Sequence, residues 1–133
     1  MAIISVKGGK RLPKGMMFSD ATTNHAYIRI TDMKNCSINT TGLKYISDEV
    51  FSSIKAYTIS KNDLYVTIAG TIGVVGKVPN ELHGSNLTEN AAKICDISIN
   101  KMYLCYIFRH FKRYLIIDTF YCSIRKLLII RGS

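Results

Sequence analysis

One domain that mixes short β-strands with two helices is what this sequence predicts, and three observations predict it. Residues 63–79 read as two runs rich in β-branched residues around a glycine-bearing turn. Shorter runs of strand character recur at 27–31, 44–46 and 91–97, separated by Gly, Asn and Pro. From Asn100 onward the apolar spacing changes from two to three and four, which is the period of a helix. At 133 residues, 47% of them hydrophobic and 20% charged, the chain is long enough for one real core and too apolar for wholesale disorder.

The elements follow in order. Residues 3–6 form a brief apolar piece, and 8–15 form a loop in which two adjacent glycines and a proline are mixed with Lys10, Arg11 and Lys14. Residues 16–25 are polar and irregular, a connection. The strand at 27–31 alternates, with Ile28 and Ile30 on one face and Tyr27, Arg29 and Thr31 on the other; Arg29 and Thr31 become exposed donors if that second face looks outward. After a turn at 39–42 and the brief strand at 44–46, Ser47 caps a short helix over 48–54 whose first turn carries Asp48 and Glu49.

The hairpin at 63–79 places strands at 64–68 and 74–78 around a turn at 69–73. Gly70 and Gly73 permit backbone angles closed to other residues, Thr71 sits between them, and Lys77 adds a cation on the returning strand. Such a turn suits a phosphate or a base edge, and the same spacing also describes an ordinary hairpin loop. It is not a P-loop, because Val78 follows Lys77 and a strand stands where a helix is required. Residues 80–90 read as a polar loop whose amides, Asn86 among them, are of the type that pairs with base edges. The last helix carries Leu104, Ile107, Phe108, Phe111, Tyr114 and Leu115 as its apolar stripe, with Lys101, Arg109, His110, Lys112 and Arg113 on the other face.

A net charge of +9 points to an anionic partner, nucleic acid first and an anionic membrane surface second. Cys36, Cys95, Cys105 and Cys122 contain no Cys-x-x-Cys pair, and His25, His83 and His110 are far apart, so no zinc-ligand spacing arises. Neither a signal peptide nor a bilayer-spanning run is present, and the expected setting is cytoplasmic, with reduced thiols. No nucleophile elbow and no carboxylate pair for acid–base work can be assembled, and no cofactor motif is found. A binding module is expected rather than an enzyme.

Four stretches together resemble the target recognition domain of type I restriction-modification specificity subunits. They are Gly9-Lys10-Arg11-Leu12-Pro13-Lys14-Gly15, then Tyr27-Ile28-Arg29-Ile30-Thr31-Asp32-Met33, then 63–79 with its Ala-Gly-Thr-Ile-Gly core, then Asn86-Leu87-Thr88-Glu89-Asn90-Ala91-Ala92-Lys93-Ile94. The resemblance covers about residues 4–111 and keeps the family's order. It implies an α+β fold of the DNA methylase specificity domain type: a mixed, mostly antiparallel twisted sheet with a few packed helices. It also implies docking on double-stranded DNA, with methyltransferase subunits and a nuclease-translocase subunit as separate chains, and no membrane. The DNA-facing candidates are then Lys10, Arg11, Lys14, Arg29, Thr31, Gly70, Thr71, Lys77 and Asn86. Full subunits of the family carry two such domains joined by long helices; this chain holds one, begins close to the first motif, and departs from the pattern after Tyr121. Two other readings stay open: a truncated regulatory remnant that binds methyltransferase or specificity subunits, and a general RNA- or membrane-surface binder driven by the basic last helix.

Overall fold

The computed structural model describes residues 5–34, 36–70 and 73–111. Thr71 lies outside the described residues, as do the side chains of Phe108, Arg109, His110 and Phe111 and the whole of residues 112–133, with Lys112, Arg113, Tyr114 and Leu115. In chain order the elements are β1 (Ser5–Gly8), β2 (His25–Ile28), β3 (Met33–Lys34), β4 (Ser37–Ile38), β5 (Lys44–Ile46) and α1 (Asp48–Ile54). There follow β6 (Thr58–Ile59), β7 (Leu64–Thr67), β8 (Val75–Lys77), β9 (Ser85–Leu87), β10 (Ala91–Cys95) and α2 (Lys101–Phe111).

Alternation along the strands decides how these elements stack. In β7, Leu64 and Val66 turn toward one cluster while Tyr65, between them, joins another. Two four-stranded sheets result, ordered β1-β10-β7-β8 and β5-β2-β9-β6, beside a small β3-β4 hairpin. The central core lies between the sheets and takes Tyr65 and Ala91 from the first and Ala26, Ile28, Ile59 and Leu87 from the second. The outer face of the first sheet, with Leu64, Val66, Val75 and Ile94, is covered by Leu104 and Cys105 of α2. The outer face of the second, with Tyr27 and Ile46, is covered by Val50 and Ile54 of α1 and by Leu12, Met16 and Phe18 of the long first loop. Each large side chain buried in these layers contributes about 1.5–3 kcal/mol.

Both helices begin where the sequence places them. Ser47 Oγ accepts from the Val50 amide at 3.3 Å, and Asn100 Oδ1 accepts from the Tyr103 amide at 3.1 Å, so each helix start has a side chain on an otherwise unpaired N–H. The hairpin of β7 and β8 is antiparallel, pairing Leu64 with Lys77 and Val66 with Val75. The mixed, mostly antiparallel expectation matches the ladders: β2 with β9 is parallel, and the other described strand pairs are antiparallel.

The structure corrects three sequence expectations. One twisted sheet is in fact two packed sheets, because β1, β10, β7 and β8 bury apolar side chains on both faces and need a cover on each. The strand expected at 27–31 ends at Ile28, and Ile30–Asp32 coil into a 3-10 turn. Asp32 Oδ2 accepts from the Arg29 amide at 2.9 Å, a local side-chain bond that competes with strand pairing. Tyr27, on the face opposite Ile28, is buried against Val50 and Ile54 of α1. The polar loop expected at 80–90 contains β9, a central strand whose three residues are all buried.

Tyr65 joins the small hairpin to the core. Its hydroxyl lies between the carbonyls of Lys34 and Ser37, and burial pushes its pKa well above the ordinary tyrosine value. The fold thus holds a proton that the unfolded chain releases near about pH 10, so this contribution is complete below that pH and is lost as the pH rises above it. Tyr65→Phe leaves those carbonyls short of a donor and should destabilise the protein by about 1–3 kcal/mol at neutral pH. In urea titrations the gap between wild type and this variant should narrow as the pH is raised above about 10. Ser47→Ala should cost about 1 kcal/mol in the same assay.

Candidate functional site

The short segment 87–91, which carries the chain from β9 into β10, gathers three distant parts of the sequence. Lys10 N–H donates to the Leu87 carbonyl at 2.8 Å and Gly9 N–H to that of Ala91 at 3.2 Å. Thr88 N–H donates to the Ile28 carbonyl, 3.1 Å away, at the end of β2. The amides of Ile68 and Ala69 converge on the Asn90 carbonyl, at 2.9 and 3.2 Å. The basic first loop, the start of the 3-10 turn and the hairpin turn therefore lean on one strip of backbone. Tyr27 fastens it further, its hydroxyl donating to the Lys10 carbonyl at 2.7 Å.

Gly9 is where this convergence is tightest. A Cβ there would collide with the backbone carbonyls of Leu87 and Thr88, and backbone cannot rotate away as a side chain can. Gly70 is glycine for another reason: its φ is +71°, and nothing lies within 4 Å of where a side chain would start. The turn at 69–70 consequently offers bare main chain to any ligand that approaches.

The expected site residues divide by what the structure does with them. Lys10 and Arg11 stand exposed at the crossing, Lys10 Nζ 5.7 Å from the centroid of the Tyr57 ring and Arg11 paired with Glu89. That ion pair is surface-exposed on the arginine side and so is worth at most about 1 kcal/mol, which leaves the guanidinium able to exchange partners. Lys14 is exposed further along the same loop, where Leu12 and Met16 anchor the chain over α1. Gly70 is at the crossing, and Thr31 is exposed in the 3-10 turn.

Other candidates are drawn away from this surface. Arg29 points its guanidinium at Asp32, at 3.1 and 3.3 Å, and at the Gly42 carbonyl at 3.0 Å. With Asp32 only 4% exposed, this cation first of all neutralises a buried carboxylate. Lys77 shares the face of Leu64, three pairs down the ladder from the turn and on the α2 side of its sheet. Asn86 is fully buried, and its Nδ2 donates to the Ile54 carbonyl at 2.8 Å, satisfying the end of α1. Its Oδ1 has no partner among the described residues. A loop amide free to meet a base edge is thus replaced by a buried structural one.

The fold has a counterpart among solved structures. A crystal structure of the HsdS subunit from Thermoanaerobacter tengcongensis superposes on this chain with a TM-score of 0.62 at 11% sequence identity. The fold resembles part of an HsdS subunit. The match covers 85% of this chain and 26% of that one, so the chain spans about a quarter of the subunit's length. No family model matches the sequence, and no curated protein does. Among the described residues no group of three or more His, Cys, Asp or Glu could hold a metal ion, and no helix is long and apolar enough to cross a membrane.

Sequence reasoning missed Tyr57, which the chain brings under Lys10 from 47 residues away. Its only signal was an aromatic beside Lys55, too common to weigh. Two substitutions test the crossing and the buried ion pair beside it. Gly9→Ala should cost about 1–3 kcal/mol by overpacking. Arg29→Ala should lower stability by a similar amount, about 1–3 kcal/mol, by unpairing Asp32, and both effects can be read from thermal melts followed by circular dichroism.

Proposed function

We propose that this chain is a DNA-reading module, the counterpart of a target recognition domain in a type I restriction-modification specificity subunit. Its part is to dock on duplex DNA and discriminate sequence, while modification and cleavage belong to separate methyltransferase and nuclease-translocase chains in the cytoplasm. The observation that carries the reading is the crossing at 87–91, where the Lys10 loop and the bare turn at 69–70 meet on one strip of backbone. Cations on such a loop fix phosphates, while turns and short polar side chains nearby reach base edges. The four ordered motifs and the fold likeness to an HsdS subunit support the same assignment from independent directions. The module itself is read as non-catalytic.

Titration of labelled duplex DNA at several salt concentrations tests it. About six phosphate contacts give a slope of log affinity against log salt near −5. Replacing Lys10, Arg11 and Lys14 together by Gln should weaken binding to every sequence alike and flatten that slope by about 2–3. A salt-independent interaction would favour a protein partner instead, and an unchanged triple variant would remove the basic loop from the interface.

A further inference from the structure

We infer that the duplex contact runs on from the Lys10 loop along the seam between β1 and β6, with Lys7 and Lys93 meeting phosphates and Tyr57 packed on the sugar–phosphate backbone. The inference rests on the DNA reading and extends it to residues that no motif picks out.

The register of β1 on β10 sets Lys7 directly opposite Lys93, on the face that looks toward the second sheet. Like charges in that relation destabilise a ladder, a penalty that an anion lying across both would relieve. β1 is the edge of the first sheet and β6 the edge of the second, and β10, the neighbour of β1, reaches β6 through a side chain. There Lys93 Nζ donates to the Thr58 carbonyl at 2.6 Å, using one of its three N–H donors and closing the seam with an ammonium. Lys7 remains exposed.

Tyr57 joins this pair to the crossing. It precedes Thr58, and its backbone is held on both sides, the N–H donating to the Ile54 carbonyl at 3.0 Å and the carbonyl accepting from Leu87 N–H at 3.1 Å. Tyr57 is 37% exposed, and its ring lies next to Lys10. Lys10, Tyr57, Thr58, Lys93 and Lys7 thus form one contiguous line. Among the described residues the ion pairs are made by Arg11, His25 and Arg29, so no carboxylate neutralises this line at contact distance. From Lys7 to Lys10 an extended chain spans roughly 10 Å, about the rise of three base pairs. An aromatic set among cations on a rigid edge is the composition that tracks a phosphodiester backbone.

Lys44 supplies a matched control, because it is an exposed lysine on β5, the opposite edge of the second sheet. Lys7→Gln, Lys44→Gln and Tyr57→Ala can each be titrated with a labelled duplex at low and moderate salt, after circular dichroism melts verify that the variants fold. Lys7→Gln should reduce the salt slope by about 0.9, so that a fourfold rise in salt costs it about 3.5-fold less affinity than it costs wild type. Lys44→Gln should behave as wild type, and Tyr57→Ala should weaken binding several-fold with no change in slope. Steep salt dependence in wild type with Lys7→Gln indistinguishable from Lys44→Gln, and Tyr57→Ala binding as wild type, would overturn the seam while leaving the DNA reading intact. No binding of duplex by wild type would overturn both.

Discussion

Everything the site does depends on backbone hydrogen bonding at the 87–91 crossing. Strand ends and turns carry N–H and C=O groups with no ladder partner, and burying them unpaired is costly. Here Leu87, Ala91 and Asn90 supply the carbonyls that the first loop and the hairpin turn need, and Ile28 supplies one to Thr88. Segments separated by tens of residues are thereby held together by main-chain bonds as well as by the apolar clusters beneath them. Gly9 makes it possible, because a side chain at that point would push the loop away from its acceptors.

The layers beneath are joined as much by polar groups as by apolar ones. Asn86 ties the second sheet to the end of α1, Lys93 ties the first sheet to β6, and Tyr65 ties it to the β3–β4 hairpin. Each replaces water on a group that would otherwise lose solvation, and each has directional demands that an apolar contact lacks. Such ties fix how one sheet sits on the other. The turn at 69–70 and the Lys10 loop inherit their relative position from that alignment.

The large net charge is also apportioned by the fold. Arg29 serves a buried aspartate, Lys101 donates to a backbone carbonyl, and Lys93 gives one of its three donors to Thr58. The cations that stand outward around the crossing are a smaller set, Lys7, Lys10, Arg11 and Lys14. A charge total describes the long-range field, whereas affinity for a phosphate depends on which of those charges are still accessible.

By itself the sequence determined local events. Ser47 and Asn100 name their helices because a capping oxygen acts within three residues, and Gly70 marks its turn because only glycine takes that backbone sign cheaply. The hairpin was equally legible, since β-branched runs and turn glycines act over neighbouring residues. Tertiary structure alone decided what depends on distant partners. Ser85-Asn86-Leu87 looks like loop because it is polar, and becomes a central strand because Tyr27 and Thr58 present backbone on either side. Arg29 looks like a donor for a ligand until Asp32 is buried beside it, and Tyr57 looks like nothing until the fold sets Lys10 over its ring. Hydrogen-bond partners and burial are properties of the packed chain, so no pattern in the sequence could show which polar residues are kept by the fold and which remain for a partner.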